Sequence, residues 1–211
     1  MKQNKWEAIY AIYNKIERLC DHIDKKYDGD SSREVTEELI KARSEIRTQL
    51  DFLKATLSED LKERDTYLVL FPVVAHIDEM IQTKYLTKMD SSWPLLQREL
   101  FQVENSGEMF FEILDDILIK PATLPFVFEV YYFCISYGFR GKYDQDPVRI
   151  NHYLKSLKSR ISPEEPVSDS APNHDDEHLQ LLNSPMLYYL MSFGTVCVVV
   201  LSLYIIAEFM C

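Results

Sequence analysis

The sequence predicts an all-α protein: a helical domain over residues 1–161, an acidic tether at 162–184, one transmembrane helix at 185–207 and a short tail at 208–211. Three observations carry that reading. Apolar side chains in the first 161 residues recur at intervals of three and four, the period of an amphipathic helix. The single β-prone stretch has no partner strand elsewhere in the chain. Near the C-terminus a run of 22 residues, Met186 to Ala207, contains no charge.

Trp6, Ile9, Tyr13, Ile16, Cys20, Ile23 and Tyr27 form one stripe, along a helix of about six turns that suits packing inside a bundle. Ser31 and Glu34 have capping-box spacing and open a second helix, striped by Val35, Leu39, Ala42, Ile46, Leu50, Leu53 and Leu57. A third runs through Leu70, Val74, Ile77 and Ile81, with Pro72 kinking its first turns. Ser92 is placed to cap a helix bearing Leu96 and Leu100, and another follows Gly107. Residues 126–137 (FVFEVYYFCISY) favour a strand by propensity. Their length and lack of a partner make them a buried helix ending near Gly138, because tertiary burial overrides propensity. Asp146 and Pro147 supply an N-cap and first helical residue for a last helix carrying Ile150, Leu154, Leu157 and Ile161.

Beyond that domain, residues 162–184 hold three prolines, six acids and no Lys or Arg, so they read as an extended, self-repelling tether. The uncharged run after it would span ~33 Å as a helix, matching the ~30 Å hydrocarbon core of a bilayer. Eleven of its residues are Leu, Ile, Val or Phe, whose summed insertion free energy of roughly −3 to −7 kcal/mol should outweigh Ser192, Thr195 and Ser202. Tyr188, Tyr189, Tyr204 and Phe209 suit the two interfaces. Met1 to Trp6 contain no apolar signal region, and the tail after Ala207 is short. The expected topology is therefore N-terminus in the cytoplasm and C-terminus outside. Gly194, small among bulky neighbours and without a GxxxG repeat, is the expected contact point of the membrane helix, for weak self-association or for a partner's helix.

Charge and composition exclude several functions. The chain carries 23 basic and 34 acidic residues, a net charge of −11. Before Ser162, 27 acids face 23 bases. Such a domain has no basic footprint for nucleic acid. Five scattered glycines cannot build a phosphate cradle of the Walker or Rossmann kind. The four cysteines, Cys20, Cys134, Cys197 and Cys211, form no CxxC pair and read as free thiols in a reducing compartment. His174-Asp-Asp-Glu177-His178 matches the HxxEH pattern of inverted zinc proteases, but it follows Pro172 in the acidic tether and reads as a solvated charge run. His76, Asp78 and Glu79 invite a metal or acid–base reading, yet a di-iron bundle needs repeated Glu-x-x-His pairs, and no second copy exists. No nucleophile has a partnered base. An enzyme is not expected, nor a cofactor or metal.

Asp78 and Glu79 lie about 100° apart on one helix, and no Lys or Arg sits a turn before them. An unpaired carboxylate is costly to bury. The expectation is an accessible acidic spot that docks a basic surface on a partner.

At this point the chain resembles a family. Phe71-x-x-x-Ala75-x-x-Asp78-Glu79, then Trp93, Leu96-x-x-x-Leu100-Phe101, then Gly107-Glu108-x-Phe110-Phe111-x-x-Leu114 are similar to the DotU/IcmH/TssL proteins. So are Glu129-Val130-Tyr131-Tyr132-x-Cys134 and Gly138-Phe139-Arg140-Gly141-Lys142-Tyr143, all in one register over residues 68–143. The resemblance implies a hook-like pair of small helical bundles on the cytoplasmic face of a bacterial inner membrane, with the C-terminus periplasmic. It implies a structural role in a type VI, or the related type IVB, secretion system. The implied partners are a large IcmF/TssM-type inner-membrane protein and cytoplasmic baseplate proteins. Residues 1–60 carry no matching motif, and no peptidoglycan-binding domain follows the anchor.

One rival of another class is a tail-anchored apoptosis regulator, echoed by Glu99-Leu100-Phe101, Asn105-x-Gly107 and Phe110-Phe111-Glu112. That groove motif wants Trp and Arg flanking the glycine, where this chain has Ser106 and Glu108. A membrane-tethered zinc protease is the weaker alternative.

Overall fold

The computed structural model describes residues 2–26, 32–86 and 93–162. The capping Ser31, the capping Ser92, the HxxEH pentapeptide, the tether and the expected membrane helix with Gly194 all lie outside the described residues. Seven α-helices make up the described part: α1 (Lys2–Lys26), α2 (Ser32–Ser58), α3 (Glu63–Ile81), α4 (Leu96–Phe101), α5 (Ser106–Ile119), α6 (Pro125–Ser136) and α7 (Pro147–Ile161). A π-helical turn, Gln82–Leu86, extends α3, and a 3-10 turn, Gly141–Tyr143, precedes α7. Among the described residues there is no strand and no helix long and apolar enough to cross a membrane.

The two long helices pack as their stripes dictate. Ile9, Ile12, Tyr13, Ile16, Cys20 and Ile23 of α1 are buried, and α1 packs on α2, whose seven stripe residues from Val35 to Leu57 are all buried as well. Trp6 is only half-buried because its ring lies at the end of α1 against Tyr10, Phe126 and Phe133.

α3 is the centre of the fold and packs against α2, α4, α5 and α6. Every residue from Leu68 to Asp78 is buried, so this helix is enclosed on all sides rather than amphipathic. It also begins earlier than expected, at Glu63, where Glu63 and Asp65 place negative charge at its first turn. Pro72 consequently falls mid-helix, not in the first turns. The missing N–H there leaves a carbonyl one turn back without its helical donor.

α6 is a helix despite its β-prone composition. Pro125 occupies its first turn, and Val127, Phe128, Val130, Tyr131, Cys134 and Ile135 are buried. Its end explains Gly138: Phe139 N–H donates to Cys134 C=O at 2.9 Å and Gly138 N–H to Ile135 C=O at 3.3 Å. That is a Schellman closure, and Gly138 takes the positive φ of 122° it requires. Asp146 caps α7 as expected, its carboxylate accepting from Arg149 N–H at 2.9 Å.

Candidate functional site

Most of the family-motif residues converge on the junction where α3, α4, α5 and the Gly141–Tyr143 turn meet, while Glu129 of α6 pairs with Lys2 at 2.7 Å. Asp78 is fully buried. Its carboxylate accepts from Trp93 Nε1 at 2.7 Å, from Leu96 N–H at 3.0 Å and from Gln97 N–H at 2.8 Å. Leu96 and Gln97 open α4, whose N-cap residue Leu95 offers no side-chain cap. Asp78 therefore caps α4 from another helix. Burial pushes its carboxyl above the usual range, and the three N–H donors pull it back.

Glu79 makes the matching contact on the next element. Its two oxygens accept from Arg140 N–H at 2.7 Å and Gly141 N–H at 2.8 Å. Burial raises its pKa too, against those same two hydrogen bonds. The expectation of an accessible acidic pair fails for Asp78, and the reason is specific. Local helix neighbours were the wrong place to look for partners, because backbone N–H groups 18 and 19 residues away satisfy this carboxylate. Glu79 is half-buried and lies in the wall of a cleft.

The remaining motif residues close the junction. Gly107 and Gly141 meet backbone to backbone. A Cβ on Gly107 would stand 3.1 Å from Gly141 Cα, and one on Gly141 would collide with the Gly107 carbonyl oxygen. Gly141 also holds a positive φ of 49°. Phe110 packs on Phe139 with ring centroids 4.1 Å apart, and Phe111 on Tyr143 at 4.7 Å. Glu108 takes a hydrogen bond from Asn105 at 3.2 Å, while Lys142 lies outside with its ammonium 5.4 Å from the Tyr143 ring centre. α4 is gripped from its other side by α2: Arg43 and Arg47 both pair with Glu99, at 2.6 and 2.9 Å.

Beside this junction lies a polar cluster that sequence reading left unassembled. Tyr13 of α1 hydrogen-bonds His76 Nδ1 of α3 at 2.8 Å and approaches Cys134 Sγ of α6 at 3.8 Å. Burial, with Arg140 nearby, lowers the His76 pKa to about 3, and burial lifts the Cys134 thiol to about 12. A neutral imidazole and an un-ionised thiol tie three helices together and supply no activated nucleophile.

An open cleft of about 770 Å³ separates α1 from α3 and the 137–144 segment. Glu17, Asp21 and Asp144 are exposed along it, with Glu79 in its wall. Lys84 pairs with Asp24 at 2.8 Å, the Arg140 guanidinium donates to the carbonyls of Ile135 and Phe139, and Tyr137 O–H donates to Glu17. With Glu17, Asp21, Glu79 and Asp144 against Lys84 and Arg140, the lining is net acidic. Sequence reading missed Glu17 and Asp21 because they sit in the region without motifs; their spacing of four, beside the apolar stripe of α1, was the available signal. A second groove of about 440 Å³ between α2, α3 and α4 contains none of the motif residues except Leu100 and Phe101. Among the described residues no group of His, Cys, Asp and Glu is arranged to hold a metal ion.

The family described as "Type VI secretion system protein DotU" matches residues 29–210. The chain belongs to the DotU family. Solved DotU-type structures share the fold. DotU from Francisella novicida superposes with a TM-score of 0.62 at 24% identity, covering 75% of this chain and 99% of that one. The cytoplasmic domain of TssL from Acinetobacter baumannii gives 0.55 at 23%, covering 72% and 96%. SciP/TssL from enteroaggregative Escherichia coli 042 gives 0.52 at 20%, covering 79% and 95%. At these identities the likeness speaks for the fold alone. A comparison with curated proteins found no match. DotU membership places the chain among type VI secretion components, and neither the apoptosis-regulator nor the zinc-protease reading gains support.

Proposed function

We propose that this DotU-family protein is a structural inner-membrane component of a type VI secretion system. Its helical domain faces the cytoplasm and holds baseplate proteins to the membrane complex. Residues 185–207 anchor it in a single pass, with the tail in the periplasm, and an IcmF/TssM-type protein is its membrane partner. Sequence supports the anchor: 22 uncharged residues follow an acidic segment. The observation that carries the docking part is the acid excess along the cleft between α1 and α3, where Glu17, Asp21 and Asp144 are exposed and Lys84 is paired with Asp24. A basic surface on a cytoplasmic partner fits there, and Glu79 fixes the cleft wall instead of meeting the partner head-on.

The test is a pull-down of the full chain, in detergent, against the cytoplasmic secretion proteins of its own bacterium at low and high salt. Asp21→Lys with Asp144→Lys should weaken recovery about tenfold or more, as reversed charges across an interface do, while leaving thermal stability near wild type. Undiminished recovery would remove the cleft from the interface. A reporter fused after Cys211 and active in the cytoplasm would refute the topology.

A further inference from the structure

One face of α1 is aromatic at its start and acidic at its end. Trp6, Tyr10, Glu17, Asp21 and Asp24 fall within an arc of about 60° on that helix, and no Lys or Arg of α1 shares the arc. The row from Trp6 to Asp24 is ~27 Å long. Tyr10 is 48% exposed, and the three acids are exposed as well. α6 supplies the other side of the aromatic half. Phe133 meets Trp6 and Tyr10 in T-shaped contacts, at 5.5 and 5.8 Å between ring centres, and stacks on Tyr137 at 5.3 Å. Tyr137 is still 42% exposed. A single aromatic at a surface needs no explanation, but a connected series of rings does.

The aromatic strip meets the acidic cleft at Tyr137, which lines that cleft with Glu17 and Asp21. Its O–H donates to Glu17, from α6 across to α1. That bond fixes an exposed ring and an exposed carboxylate side by side. A carboxylate can accept about four hydrogen bonds, so Glu17 keeps its charge and most of its capacity to accept. Lys84, in the same cleft, is paired with Asp24 at 2.8 Å. Among the described residues no cation lies over the ring of Tyr10 or Tyr137.

A ring held beside a carboxylate discriminates between the two basic side chains. A lysine ammonium is a compact, strongly hydrated charge that gains chiefly from the carboxylate. An arginine guanidinium is planar and more weakly hydrated, and it stacks on an aromatic ring while its N–H groups reach a carboxylate. We propose, building on the docking at the cleft, that Tyr10 and Tyr137 make this surface selective for arginine. The partner presents a segment that runs along α1, with arginines stacked on those two rings and paired with Glu17 and Asp21.

The test titrates the full chain, in a non-ionic detergent at physiological salt, against fluorescein-labelled hexa-arginine and hexalysine, peptides of equal charge, with binding read by anisotropy. The wild type should bind hexa-arginine about fivefold more tightly, the size of preference that two partly exposed rings can give. Tyr10→Leu with Tyr137→Leu should bring hexa-arginine to the affinity of hexalysine, leaving hexalysine binding and helix content unchanged. Tyr10→Leu alone, at a side chain outside the core, should lower the preference to about twofold, and it carries the test if the double variant unfolds. Asp21→Lys with Asp144→Lys should weaken both peptides, which ties the binding to the cleft and not to the acids of residues 162–184. Equal affinity for the two peptides in the wild type, still weakened by that reversal, would overturn arginine selection and leave the cleft docking standing. A preference that survives the tyrosine variants undiminished would overturn it too. Binding indifferent to the charge reversal would remove the cleft from the interface, and arginine selection with it.

Discussion

The α1–α2 pair and the junction around Asp78 are stabilised in opposite ways. In the pair, long stripes of mostly aliphatic side chains are buried. At the junction, two carboxylates, two glycines and a few rings bring together segments far apart in sequence. The first region is specified by a period, so a neighbouring aliphatic residue can replace almost any member. The second is specified by individual atoms. That contrast explains why the recognisable motif lies between residues 68 and 143 and why residues 1–60 carry none: a stripe needs only apolar character, whereas a cap and a glycine contact need one residue type.

The largest effect should come from Asp78→Ala. Three donors would lose their acceptor inside the core, at a cost of about 3–5 kcal/mol, measurable by urea unfolding. Next is Gly141→Ala, which combines a positive φ with a collision against Gly107 and should cost roughly 2–4 kcal/mol. A gentler loss tests the polar cluster between the two regions. His76 is held neutral, with its pKa lowered from 6.5 to about 3. The unfolded chain takes up a proton below its ordinary pKa and the folded protein does not. Stability from this group is therefore complete above pH ~6.5 and declines as pH falls toward the folded value, by about 2 kcal/mol between pH 7 and pH 5. In His76→Phe that acid-side decline should shrink, although Tyr13 loses its imidazole partner at every pH. The smallest effect belongs to the stripe: Ile46→Val should cost about 0.5–1.5 kcal/mol. If Ile46→Val proved as damaging as Asp78→Ala, the contrast between the regions would not hold.

The same contrast marks what was legible in the sequence. Every stripe residue of α2 is buried, and Asp146 caps α7 where the sequence placed it. Periodicity and caps are local, so they can be read one segment at a time. The start of α3 at Glu63 was not legible from a stripe, because a helix buried on every side has none. Asp78 and Glu79 were found, but their environment was not: apart from the Trp93 indole, their partners are main-chain N–H groups, which no side-chain pattern reports. The glycine motif was visible too, while its cause, the contact of Gly107 with Gly141, exists only once α5 and the turn before α7 are folded together. The acidic rim of Glu17 and Asp21 stayed hidden because ordinary surface charges on a helix look alike until a cleft selects some of them.

The paired carboxylates are architectural, each holding a distant backbone segment, and amide hydrogen exchange reads this out residue by residue. Leu96 and Gln97 are at the start of a six-residue helix, where N–H groups have no acceptor within the helix. Their protection can come only from Asp78. Exchange should be slow at both amides in the wild type and fast at both in Asp78→Ala, with Arg140 and Gly141, held by Glu79, still protected. Fast exchange at Leu96 and Gln97 in the wild type would contradict it.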